Sequence, residues 1–264
     1  MAGKKVWVTW LPGGDDAAVS PQDTLALLTR YGLDVSGAPW IDDLEKLAWS
    51  ELGGTLLDPA NADLWLIAGL ESDFQAPEKR YGLSMVAAMA LDARAADLPI
   101  LCLGLDFAPQ AAALPSLLRN AKLFDGREQG WGAKAVAAAF SAKTGPSEDF
   151  RFNVIGHSMI GQWLEVGPVA GEWPGVMLGT SGEGKITHHA VGPRGQLPEK
   201  AVLEYPLEGL EAELGGEKFV AWAVQNTLGP GDSYYVRLEG HPAKVILGHH
   251  PGADEAEVYV VELV

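Results

Sequence analysis

This chain has little of several things, and each shortage excludes something. There is one cysteine, Cys102, set inside an apolar run, so no disulfide framework is available and a reducing, cytoplasmic setting is expected. Positive charge is scarce. Lys+Arg number 19 against 35 Asp+Glu, a formal net charge of -16, and the longest basic runs are the pairs Lys4-Lys5 and Lys79-Arg80. A surface that acidic repels phosphate backbones and anionic bilayers, so neither nucleic acid nor membrane is expected as a partner. No apolar run approaches the roughly 20 residues a membrane-spanning helix needs. The opening MAGKKVWVTWLPGG has only a short apolar stretch before Pro12, too short for a secretory signal. Histidine is absent from the first half: all six lie at or beyond His157.

What is present is organised around residues 62–106. Leu64 to Ala68 and Pro99 to Leu105 are almost wholly apolar and show no polar alternation, the mark of strands covered on both faces. Between them Leu83, Val86, Ala87, Ala90 and Leu91 recur at helical spacing. Together they predict a βαβ unit with a right-handed crossover in a parallel sheet. A strand over Lys5 to Leu11 precedes it, then a helix begun by Ser20-Pro21 and stopped at Gly32. A short strand over Leu33 to Val35 and a second helix over Asp42 to Leu52 follow. KLFDG and an alanine-rich helix from Trp131 to Lys143 complete the pattern. Alternating strands and helices over residues 1–143 predict a doubly wound, five-stranded parallel α/β domain of flavodoxin-like size.

Composition shifts at Lys143 to Asp149, where a linker is expected. From 150 to 264 helical periodicity stops. Phe150 to Val166, Val176 to Val191, Ala201 to Tyr205, Lys218 to Gln225, Ser233 to Leu238, Lys244 to Leu247 and Val258 to Leu263 read as strands between Gly/Pro turns. An all-β sandwich or small barrel is predicted.

In an open α/β sheet, ligands bind beyond the carboxyl ends of the strands. The loops there are Pro12 to Asp16, Gly69 to Gly82 and Asp106 to Gln110. Gly13, Gly14, Asp15 and Gly69 are the candidate contacts for a nucleotide cofactor, although PGGDD lacks the spacing of a phosphate-binding loop. Glu71, Asp73 and Glu78 are the candidate catalytic carboxylates: such a pair in a cleft serves as acid and base when burial separates their pKa values.

The run ADLWLIAG, a long polar loop, a helix, and LPILCLGLD before a Pro-containing loop resembles a TIR-type domain, over about the first 140 residues. That resemblance implies a role in bacterial signalling, with protein partners or self-association. In its NAD-cleaving members it implies a glutamate in the helix after the third strand. Lys79-Arg80-Tyr81-Gly82 matches the approach to that position, which falls near Ser84 or Met85, and no glutamate is there. The expectation is a degenerate domain acting in interaction, assembly or nucleotide sensing. The alternatives are an NAD- or nucleotide-processing hydrolase using the loop carboxylates, and a metal-dependent enzyme of the β domain.

Four further features compete for attention. Gly156-His157-Ser158-Met159-Ile160-Gly161 is similar to a nucleophile elbow, with Ile160 where the second glycine belongs and Asp232, His249 and His250 downstream. Its alternative is an ordinary strand. His188 or His189 with His249 or His250 is a candidate metal set, although neighbouring histidines on a strand face opposite ways. Cys102 sits mid-strand, where a thiol stays protonated. Trp163, Trp173, Trp222, Tyr234 and Tyr235 are either core or a ligand platform.

Overall fold

The computed structural model of the chain describes residues 3–11, 21–94, 97–140, 149–250 and 258–264. The chain divides into two compact units, Met1–Pro146 and Ser147–Val264. The expected linker lies almost wholly outside the described residues, as do Ser20 and the loop holding Gly13, Gly14 and Asp15.

The first unit contains β1 (Lys5–Trp10), α1 (Pro21–Arg30), β2 (Asp34–Pro39), α2 (Trp49–Leu57), β3 (Leu64–Gly69), α3 (Glu71–Gln75), α4 (Pro77–Arg94), β4 (Ile100–Gly104), β5 (Lys122–Asp125) and α5 (Trp131–Phe140). Its five strands pair in parallel in the order β2-β1-β3-β4-β5, so the direction in which successive strands are added reverses between β1 and β3. Every residue of β3 and β4 is buried, as two-sided coverage requires. Alternate side chains part to the two faces. Val6, Val8, Leu64, Leu66, Leu101 and Leu103 pack with Leu28 of α1 and Trp131, Ala135 and Ala138 of α5. Right-handed crossovers then put α2 and α4 over the opposite face, where Trp65, Ile67 and Cys102 are fully buried. Gly53 of α2 sits so close to α4 that a Cβ there would come 2.4 Å from the Met89 sulfur.

Two expectations in this unit are corrected. The second helix begins at Trp49, not Asp42. The Asp43 carboxylate instead accepts the Lys46 N–H at 3.0 Å, closing a turn that ends at Leu47 in the left-handed region (φ 54). The stretch 69–82 is not a long loop but two helix starts. Leu70 begins α3, Ala76 separates it from α4, and Pro77 takes the first position of α4, where its missing N–H costs nothing. The apolar stripe of α4 is also wider than a stripe: every residue from Tyr81 to Ala88 is buried.

The second unit is built of strands alone: β6 (Phe150–His157), β7 (Gly161–Pro168), β8 (Trp173–Thr180), β9 (Lys185–Pro193), β10 (Leu207–Leu214), β11 (Glu217–Leu228), β12 (Asp232–Glu239), β13 (Lys244–Gly248) and β14 (Val258–Glu262). They form two antiparallel sheets, β10-β11-β8-β13-β14 and β6-β7-β12-β9. The sheets touch where the His189 ring meets Trp222 edge-on at 4.8 Å and Phe150 meets Tyr259 at 4.7 Å.

Residues 150–166 are two strands folded as a hairpin, and 176–191 likewise span β8 and β9 with a turn between. Residues 201–205 form no strand. The strand in that region is β10, whose Glu208, Glu211 and Glu213 and internal Gly209 hide its pattern. β10 lies at a sheet edge, where exposed acidic side chains discourage pairing with another chain.

Candidate functional site

The carboxyl edge of the parallel sheet brings together the ends of β3, β4 and β5 with the starts of α3 and α4. Asp73 is buried in the first turn of α3 (5% exposed). One of its oxygens accepts the Leu70 N–H at 2.9 Å, satisfying an N–H that the helix start leaves orphaned. The other takes the Lys79 ammonium, which also donates to the Leu11 carbonyl at the end of β1 at 3.1 Å. Asp73 thus ties α3, α4 and β1 together. Glu71 is exposed; its N–H donates to Asp106 at 3.0 Å, and its side chain takes a hydrogen bond from Gln75 at 3.3 Å. Glu78 is exposed in the first turn of α4.

Other charges described at this edge are engaged with the protein. Arg80 donates to the carbonyls of Phe74 and Ala113. Arg127 forks onto Asp125, and those hydrogen bonds hold the Asp125 carboxyl at about 2. The Gly69 carbonyl accepts the Leu105 N–H at 2.9 Å. A Cβ on Gly69 would meet Leu11 at 2.9 Å and the Phe74 ring at 3.1 Å, so side chains rather than open space face this glycine. Ser84 and Met85 are both fully buried, and the Ser84 hydroxyl donates back to the Arg80 carbonyl at 2.9 Å. Burial pushes the Cys102 thiol up to about 12, so it has no thiolate with which to react.

In the second unit the histidines separate. His188 is exposed and His189 buried, the opposite facing expected of strand neighbours. The His189 Nε2 faces Glu208 at 3.8 Å, and a ring proton on that nitrogen would suit a carboxylate that only accepts. Nδ1 then accepts from the Tyr234 hydroxyl at 2.8 Å, a donor that burial keeps protonated. His249 and His250 follow β13 and are half-buried. Among the described residues no group of three or more His, Cys, Asp or Glu is placed to hold a metal ion.

The nucleophile-elbow motif is a hairpin turn, neither elbow nor strand. Ser158 to Ile160 join β6 to β7, the His157 ring accepts the Met159 N–H at 3.2 Å, and Gly161 takes a φ of 77. Asp232 lies at the far end of the same sheet. Its register neighbours are at the Phe150–Pro168 end, about eight residues or roughly 25 Å from Ser158.

No protein-family model and no curated protein matches this chain. Function has to be read from the residues themselves.

A further polar constellation, not singled out from sequence, gathers around Glu165. It lies on the face of the four-stranded sheet that carries Trp163, Glu165, Tyr235 and Arg237. Glu165 is 1% exposed. It accepts the Ser233 hydroxyl at 2.7 Å, the Tyr235 hydroxyl at 3.1 Å, the Gly195 N–H at 2.7 Å and the Asn153 amide at 3.0 Å. The Arg151 guanidinium stands 3.9 Å away, held by Ser233 and the carbonyls of Pro168 and Asp232. Burial, and then the Glu165 charge, push Tyr235 up to about 12. A carboxylate with four donors on it is compensated and fixed, which suits holding a sheet face and its covering segment in place. The signal available in sequence was spacing: Arg151/Asn153, Trp163/Glu165 and Tyr235/Arg237 are polar or aromatic pairs two residues apart within apolar strands.

Proposed function

We propose that the chain is a non-catalytic protein of interaction, assembly or nucleotide sensing, in which a degenerate TIR-like, doubly wound α/β domain is joined to a β-sandwich. The observation that carries this reading is the arrangement at Asp73. A general acid or base must offer an oxygen to the reacting group within hydrogen-bond reach. Both oxygens of Asp73 are committed to Lys79 and Leu70. Glu71 and Glu78 stand exposed in the first turns of two different helices. The buried Ser84 and Met85, at the position where the resemblance calls for an acid, support the same reading.

A nicotinamide-release assay with NAD and the whole chain tests it. No release above the buffer blank is expected. Turnover that disappears in Glu71→Ala or Glu78→Ala, with the fold intact, would overturn it.

A further inference from the structure

The four-stranded sheet carries a second row beside the Glu165 network. Register places Ile155, Trp163, Arg237 and His188 side by side on four neighbouring strands. They occupy the same face as Glu165 and Tyr235, each two residues along its strand. The row is only partly covered, and His188 is exposed.

Arg237 is the unusual member. In a chain with a net charge of -16, it has no ion pair and no side-chain hydrogen bond among the described residues. Its Nε is buried without a partner. Adjacent strands lie about 4.8 Å apart, so two strands bracketing a third would hold their side chains about 10 Å apart. The Trp163 and His188 ring centroids are only 6.5 Å apart. The two rings therefore lean toward each other across Arg237.

Two local features hold this arrangement. The Trp163 indole N–H donates to the Ile160 carbonyl at 3.0 Å, which fixes the ring and leaves its face as its remaining recognition element. Gly161, at φ 77, follows the turn; a Cβ there would press on the Arg237 Nε at 3.2 Å. The guanidinium is thus held by neighbours that do not neutralise it.

We propose that this row is a binding site for a small anion carried on a planar ring, with a nucleoside monophosphate as the simplest probe of the class. The Nη edge of Arg237 would take two oxygens of the anion in the fork geometry that guanidinium favours. His188 would add a donor, and the Trp163 face would stack the ring. A polyanion is the poorer occupant, since its further charges would be repelled by a chain of net charge -16. The site stands independently of whether the α/β unit is catalytic.

Calorimetric titration of the full chain with adenosine 5′-monophosphate, adenosine and inorganic phosphate tests this. The monophosphate is expected to bind more tightly than either fragment. Arg237→Gln is expected to weaken it at least about tenfold, the loss of a charge-assisted pair of hydrogen bonds. His188→Ala, at an exposed position, is expected to weaken it several-fold. No binding of the monophosphate by the full chain would overturn the proposal. So would equal binding of phosphate alone, which removes the ring from the recognition. Binding unchanged in His188→Ala and in any folded Arg237→Gln would place the site elsewhere and overturn it as well.

Discussion

Single side chains here decide between structural and chemical roles by what their polar atoms touch. Asp73 has the residue type and loop position of a catalytic carboxylate, but Lys79, six residues on, lies one helix away and turns back to it. That pairing was not legible in the sequence: Pro77 marks a break after Ala76, but a proline alone does not show that helices lie on both sides of it. Asp73→Ala removes a helix-start acceptor and leaves Lys79 largely buried beside an empty place. Loss of about 3 kcal/mol in chemical denaturation is expected. A loss within a few tenths of that for an exposed site would show that the pair is solvated. Spacing does expose part of such a role: the strand pairs around Glu165 could be read from alternation, but not the four donors that three other segments bring to it.

His189 allows a pH prediction at the same scale. Burial holds it below its ordinary 6.5, with the Glu208 carboxylate acting in the opposite direction. The groups around it are Tyr234 on β12, Trp222 on β11 and Glu208 on β10. As pH falls through 6.5 the unfolded chain takes up a proton that the folded chain refuses. The stability contribution is complete above 6.5 and declines below it. The thermal midpoint should therefore fall more between pH 7 and pH 5 in the native chain than in His189→Gln. Equal slopes would mean that the ring titrates normally in the folded protein.

At the scale of elements, legibility followed the strength of hydrophobic patterning. β3 and β4 were readable because two-sided burial forces unbroken apolar runs, and α4 because its apolar residues recur at helical spacing. β10 was not, because an edge strand needs only one partner and tolerates glutamates. The hairpin between β6 and β7 was concealed by its own residues: Met159 and Ile160 are exposed in the turn, where apolar side chains mimic a continuing strand. The α2 start was missed because Asp42 and Asp43 look like helix-start acids, whereas Asp43 closes a turn. Turn geometry also yields a test. Gly240, between β12 and β13, has a φ of 75, and a Cβ there would come 2.5 Å from the Glu183 carbonyl oxygen. Gly240→Ala should cost about 1–3 kcal/mol, combining left-handed strain with a backbone clash. An unchanged denaturation midpoint would mean that the turn relaxes freely.

For the molecule as a whole, the informative quantities are charge and the division into two units. A net charge of -16 repels itself at low ionic strength. Raising salt from about 0.01 M to about 0.15 M shortens the screening length from about 30 Å to about 8 Å. The thermal midpoint should rise over that range, and a fall would show that ion pairs outweigh the repulsion. No described helix is long and apolar enough to cross a membrane. A parallel α/β unit and a unit of two antiparallel sheets follow one another along the chain, and the role proposed for the acids of the first unit is a non-catalytic one.

The most direct measurement of that claim is nicotinamide release from NAD by the full chain, beside Glu71→Ala and Glu78→Ala. Release indistinguishable from buffer in all three samples is the predicted result. Release by the native chain that either substitution abolishes, with the circular dichroism spectrum unchanged, would contradict it.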